Sequence, residues 1–268
     1  MREKFLGFSR SFVAWFCIVL FFFLSALSLV YTAYMIQDEK VFFKWDFFPL
    51  TLLLVLLVVG FLFLLYRFRI WEKLSMRSMR IALVVYVLLA GTAWVFMARN
   101  PPYADALFVY EIAQGFVQGD FSFMREAYLL QFPFQLGLAL YYETVMRIVG
   151  PDCFYFLQML NVFYLALSYL TLTHIADEIL PTPSSRFFSC LFLFGCLPPL
   201  LFVTFVYGTQ LGLLFALLAL YATLRFVRQN KIHWLVISVV SMALAIIIKM
   251  NYWIFGIAIV LLLLMDFI

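Results

Sequence analysis

The sequence predicts an all-α, polytopic transmembrane bundle, and three observations carry that expectation. Hydrophobic residues make up 67% of the 268 positions and charged residues 12%, about half the usual globular share of roughly 25%. Mean hydropathy is +1.07. The apolar residues fall in continuous runs close to the roughly 20 that a helix needs to cross about 30 Å of hydrocarbon. So few polar residues cannot build a hydrated shell, which excludes a soluble enzyme, a secreted disulfide module and a disordered chain. A backbone facing lipid must satisfy its own hydrogen bonds, so the runs are helices. A β-barrel would show alternating segments of about ten residues instead.

Eight spans are expected, at about 11–36, 47–66, 81–98, 153–176, 187–206, 209–227, 232–249 and 252–268. The first follows Met1-Arg2-Glu3-Lys4. It is too long for a signal-peptide core of about 7–15 residues and lacks a small-x-small cleavage site, so it reads as a retained anchor. Residues 1–80 form an N-terminal pair of spans with basic segments, and 81–268 a membrane module with a large loop, 99–152. Arg2, Lys4 and Arg10 precede the first span, and Arg67, Arg69, Lys73, Arg77 and Arg80 separate the second from the third. Both segments are therefore expected on the cytoplasmic side, with loop 99–152 outside. The apolar stretch 131–149 tempts a ninth crossing, but it carries Gln131, Gln135, Glu143 and Arg147. A charge at mid-membrane costs about 2.5–3.5 kcal/mol on the insertion scale, so an interfacial or re-entrant segment is the expectation. Arg225, Arg228 and Lys231 then return to the cytoplasmic side.

Formal net charge is +4, and no basic run is interleaved with aromatics, so nucleic acid is not an expected partner. Cys17, Cys153, Cys190 and Cys196 have no CxxC spacing and read as small buried hydrophobes. His174 and His233 are far apart, and no GxSxG, HExxH, Walker A or strand-linked GxGxxG pattern is present.

The candidate chemistry gathers on the outer side. Asn100-Pro101-Pro102 stops the third span, and a new helix starts with Asp105 in its first turn, where negative charge is favoured. On a helical wheel Asp105, Val109, Ile112 and Phe116 share a face, so the helix should lie flat with Asp105 on its buried side. Asp105 is then either a functional carboxylate or a plain N-terminal helix charge. Gly119-Asp120 closes the helix, and Asp120 reads as a turn residue. Glu126 and Glu143 read as solvated or as paired with Arg125 and Arg147, the second pair at helical i,i+4 spacing. Tyr128 to Gln135 (YLLQFPFQ) is either a groove lining or an aromatic interface belt. Lys249, beside Asn251, either binds a phosphate or snorkels to the interface.

Several of these pieces together resemble a known family. They are N-P-P-Y-A-D-A-L-F-V-Y-E-I-A-Q-G-F-V-Q-G-D-F, then Y-L-L-Q-F-P-F-Q-L-G-L, then V-Y-G after a span with Pro-Pro, then I-I-K-M-N-Y. Over about residues 80–268 the chain looks like the GT-C class of integral-membrane glycosyltransferases, of the protein O-mannosyltransferase and aminoarabinose-transferase type, with the bacterial surface-polysaccharide branch nearest. The resemblance implies a polyprenyl-phosphate sugar donor, a glycan or lipid acceptor in the cell envelope, and inverting transfer on the outer face of the plasma membrane. It implies that Asp105 is catalytic, as general base toward the acceptor hydroxyl, or a ligand of a divalent metal in oligosaccharyltransferase-like variants. It implies donor contacts from Arg99, Arg147, Lys249, Asn251, Gln135 and Tyr207. Two departures stand out. The second acidic residue of many relatives is replaced by Tyr207-Gly208-Thr209-Gln210, and relatives run on through further spans, so the resemblance reads this chain as a truncated or short form. Two alternatives are a transporter of lipid-linked sugars, expected to carry broken or charged helices at mid-membrane, and a non-catalytic membrane partner.

Overall fold

The computed structural model describes residues 2–35, 41–125 and 127–267. The chain forms two compact units, Met1–Ile70 and Trp71–Ile268. The first holds α1 (Arg2–Ser28), a hairpin of β1 (Tyr31–Met35) and β2 (Val41–Trp45), and α2 (Phe48–Arg67). The strands are antiparallel, with Tyr31 opposite Trp45 and Met35 opposite Val41. The Tyr31 and Trp45 rings lie 4.4 Å apart, and the Thr32 hydroxyl donates to Asp46 Oδ2 at 2.6 Å. The first helix therefore ends at Ser28 rather than near 36. Residues 31–35 mix aromatic and β-branched side chains with high strand propensity, which take the chain into the hairpin. Helix α2 has no buried residue, as suits a helix surrounded by lipid.

A single turn, α3 (Ile70–Lys73), lies at the boundary between the units. The second unit then holds α4 (Met76–Ala98), α5 (Ala104–Gln118), α6 (Ala127–Gln131), α7 (Leu136–Val149), α8 (Phe154–Ile179), α9 (Pro183–Gly195), α10 (Leu197–Leu201), α11 (Thr209–Gln229), α12 (Ile232–Ile248) and α13 (Trp253–Phe267). Among the described residues five helices are long and apolar enough to cross a membrane: residues Ser11–Ser28 of α1, and α2, α4, α8 and α11. A sixth forms if Pro183–Gly195 and Leu197–Thr204, bent by 41°, count as one span. Ile232–Ile248 and Met250–Met265 are apolar but shorter. The chain is thus an all-α membrane protein with a small hairpin, and among the described residues five or six of the eight expected spans have full-length apolar helices.

Ion pairs fix which helix ends meet. Arg80, in the first turns of α4, bonds the Thr173 hydroxyl at 3.1 Å and pairs with Asp177 near the end of α8. Glu178 takes Arg225 at 3.1 Å and also Arg228, both near the end of α11. The start of α4 and the ends of α8 and α11 therefore share one basic end. Segment 99–152 leaves and returns at the opposite end. Its longest late helix, α7, has 14 residues, about 21 Å at 1.5 Å per residue, short of the roughly 30 Å of a bilayer core.

The bend at 196–204 removes regular helical bonds, and polar side chains from α8 and α11 replace them. Gln158 Nε2 donates to Asn100 O and Thr204 O, both at 2.9 Å. One turn on, Asn161 Nδ2 reaches Val203 O at 3.0 Å. Tyr169 donates to Cys196 O at 2.7 Å, and Gln210 Nε2 to Pro199 O at 2.9 Å. Broken helices survive away from water when neighbours re-satisfy the freed carbonyls in this way. The four cysteines are free thiols; Cys153 and Cys190 are buried and Cys17 is exposed.

Candidate functional site

Helix α5 packs through Ala106, Val109, Tyr110, Ile112, Ala113 and Phe116, all buried. The same core holds Leu138, Tyr142 and Met146 of α7, with Val206, Leu211 and Ile248. Asp105 lies on the same wheel phase as Val109 and Ile112 but is exposed, which corrects the expectation of a buried carboxylate. The buried stripe begins at Ala106, and the two helix residues before it, Ala104 and Asp105, are exposed. Asp105 meets a cavity there instead of the core. The backbone enters the helix through Ala104 at φ 49°, a left-handed conformation unusual for a residue with a side chain.

That cavity has a volume of about 190 Å³ and is lined by Asp105, Phe132, Phe134, Gln135, Tyr207, Lys249, Met250 and Asn251. Five of the seven candidate residues from the sequence thus line one space: Asp105, Gln135, Tyr207, Lys249 and Asn251. They come from four separate stretches of chain, joined by close approaches that glycine permits. A Cβ on Gly137 would stand 2.2 Å from the Ile247 carbonyl oxygen. Gly208, at φ +71°, packs against Leu138 and Ile248. These two positions seat the start of α7 and the 206–209 turn against the end of α12, just before Lys249.

Tyr207 is the hub. Its hydroxyl donates to Asp105 Oδ2 at 3.1 Å and accepts from Gln135 Nε2. Its carbonyl accepts from Lys249 Nζ at 3.3 Å, and that ammonium lies 3.8 Å from the centre of the Tyr207 ring. Burial holds the Tyr207 phenol well above its ordinary range, with Tyr128 and Asp105 adding to the shift. Burial also pulls the Lys249 ammonium down from 10.5 to about 8, against a smaller upward pull from Asp105. An amine poised near neutrality beside a carboxylate can hold an anion and release it as pH rises.

The other two candidates lie elsewhere. Arg147 bonds Glu143 at 2.7 Å and the Phe116 carbonyl at 3.2 Å, tying α7 to the end of α5. Arg99 is the left-handed cap of α4 and is exposed. Neither lines the cavity, which corrects their expected place beside the other donor contacts. Asp120 accepts from the Ser122 N–H at 2.9 Å, a turn role as expected; Glu126 lies outside the described residues.

No sequence signal marks Met250 as a lining residue, nor the close approaches at the two glycines. The sequence placed Phe132 and Phe134 only within a stretch of undecided role. Tyr128 stacks on Phe108, with ring centres 5.2 Å apart, and its buried hydroxyl lies near that of Tyr207. Next to the polar cavity, Met124, Leu129, Leu130, Pro133 and Leu136 line an apolar space of about 230 Å³. Pro133 stands between Phe132 and Phe134, so the two spaces flank one short segment.

Among the described residues no three His, Cys, Asp or Glu side chains gather into a metal-binding group. The cavity offers one carboxylate, and a divalent cation held by oxygen ligands usually draws more from its protein. The residues present do not fit a metal centre. In comparison with protein-family models, curated proteins and solved structures, the chain matches none.

Proposed function

We propose that the chain is a membrane glycosyltransferase of the GT-C type, moving a sugar from a polyprenyl-phosphate donor to an envelope glycan or lipid. The observation that carries this reading is the meeting of Asp105 and Lys249 around Tyr207, in one cavity at the helix ends opposite the basic cluster. By the positive-inside rule that end faces outward from a bacterial plasma membrane. In this reading α12 and the 250–267 segment also cross, which completes eight spans.

The acceptor hydroxyl gives its proton to Asp105 as its oxygen bonds the anomeric carbon. The bond from that carbon to the phosphate oxygen breaks, and its electron pair leaves with the phosphate. Lys249, with Asn251 beside it, opposes the charge that develops there. Tyr207 orients the carboxylate, and Gln135 orients Tyr207. The apolar space beside Pro133 suits the first isoprene units of the donor.

Radiolabelled sugar transfer from a polyprenyl-phosphate donor, with the chain in lipid, tests the proposal. Asp105→Asn keeps the shape and removes the base, and is expected to cut turnover about 10²-fold or more. Equal turnover by wild type and variant would remove Asp105 from the chemistry. No transfer by the wild type across a panel of donors would overturn the enzyme reading.

A further inference from the structure

At the basic end of the second unit, α8 and α11 leave an apolar groove between them. It has a volume of about 210 Å³, with Leu167, Leu170, His174, Leu214, Leu218 and Tyr221 in its walls. The lining residues recur three or four apart on both helices, so the groove follows the helix direction toward the charged ends. Both helices are long and apolar enough to span a membrane, and acyl chains are the solvent at that depth.

The mouth of the groove is layered by charge. Glu178 lies underneath, its side chain 8% exposed, while the Arg225 and Arg228 side chains above it are 31% and 60% exposed. Arg225 directs Nε toward the Tyr221 hydroxyl at 3.0 Å and toward Glu178 at 3.1 Å. Its two terminal nitrogens have no hydrogen-bond acceptor among the described residues. The guanidinium is held in orientation by the rings of Tyr221, 5.4 Å away, and Trp234, 6.0 Å away. The Tyr221 hydroxyl accepts from Arg225 and keeps its own proton for another acceptor. An oriented guanidinium with open N–H groups matches the oxygens of a phosphate.

We propose that this groove holds one acyl chain of an anionic phospholipid, with the lipid phosphate against Arg225 and the Tyr221 hydroxyl. The apolar slot and the open cation are continuous along α11, through Leu214, Leu218, Tyr221 and Arg225. A zwitterionic headgroup brings its own ammonium and competes with Arg225 for the same phosphate, so the site selects for net negative charge. The site lies at the opposite end of the helices from Asp105 and does not depend on the proposed reaction.

Native mass spectrometry of the full chain in detergent tests this, with phosphatidylglycerol and phosphatidylcholine of identical acyl chains as probes. Wild type should retain phosphatidylglycerol about five-fold better, the effect of one cation beside the phosphate. Arg225→Gln should abolish that preference and leave weak binding of both lipids. Leu218→Trp fills the slot, keeps the cation and should weaken retention of both; it carries the test if Arg225→Gln does not fold. Inorganic phosphate should leave the bound lipid in place. Equal retention of the two lipids by wild type would overturn the proposal. So would a preference that survives Arg225→Gln, retention unchanged by Leu218→Trp, or release of the lipid by phosphate alone.

Discussion

Lys249 carries two opposing demands. Its ammonium is largely withdrawn from water, and burial lowers its pKa from 10.5 to about 8. The ring face and carbonyl of Tyr207 compensate only in part. Holding the charge therefore costs stability at neutral pH. Below pH 8 that cost is present in full. As pH rises from 8 toward 10.5 the folded state loses the proton before the unfolded state does, and the cost fades. Wild type is expected to gain thermal stability across that window relative to Lys249→Met. The variant should be the more stable protein at pH 7 and show the flatter profile. Donor binding should move the other way, weakening in wild type as pH passes 8, because the cation is then lost. Thermal denaturation in detergent and donor affinity, each followed against pH, measure the two trends. A stability difference between the proteins that does not change with pH would show that Lys249 is not desolvated.

At the scale of elements, the cavity depends on how closely α7 and α12 approach. Gly137 has the Ile247 carbonyl where a Cβ would sit, 2.2 Å away. That neighbour is backbone, which cannot swing aside as a flexible side chain would. Gly137→Ala should push the end of α12 outward and cost about 1–3 kcal/mol, the usual range for overpacking. Gly60→Ala, which meets nothing within 4 Å, should be neutral or slightly stabilising in its helix. Equal melting temperatures for the two variants would show that the contact is not close. Such approaches are also where sequence reading loses resolution. Asp105, Lys249 and Asn251 stand out as polar residues at the ends of apolar runs, and Gln135 as a polar residue within one. Nothing in the spelling of Gly137 or Gly208 says which backbone will lie against it. The buried face of α5 was legible because Val109, Ile112 and Phe116 repeat with helical period. The exposure of Asp105 was not, because periodicity gives the side of a helix and not where its neighbours stop. The hairpin at 31–45 was hidden for a related reason. Aromatic and β-branched residues suit a membrane helix and a strand about equally, and only the partner strand decides between them.

The whole second unit is organised by its two ends. Arg80 with Asp177, and Arg225 and Arg228 with Glu178, bind three helix termini together at one end. Asp105, Tyr207 and Lys249 follow or precede the opposite termini of α4, α11 and α12. Because the start of α4 and the end of α8 are paired, the chain between them must cross the membrane an even number of times. With α4 and α8 as the two crossings, α5, α6 and α7 are expected on the cavity side. Glu111 on α5 and Asp152 just before α8 are both exposed and flank the disputed stretch. In a cysteine-free background, Glu111→Cys and Asp152→Cys are expected to react with a membrane-impermeant maleimide from the same side. Lys231→Cys, at the turn between α11 and α12, should react only from the other. Labelling of positions 111 and 152 from opposite sides would require α7 to cross. Arg80 and Asp177 would then be on opposite faces of the membrane and unable to pair, and Asp105 and Lys249 could no longer share one cavity.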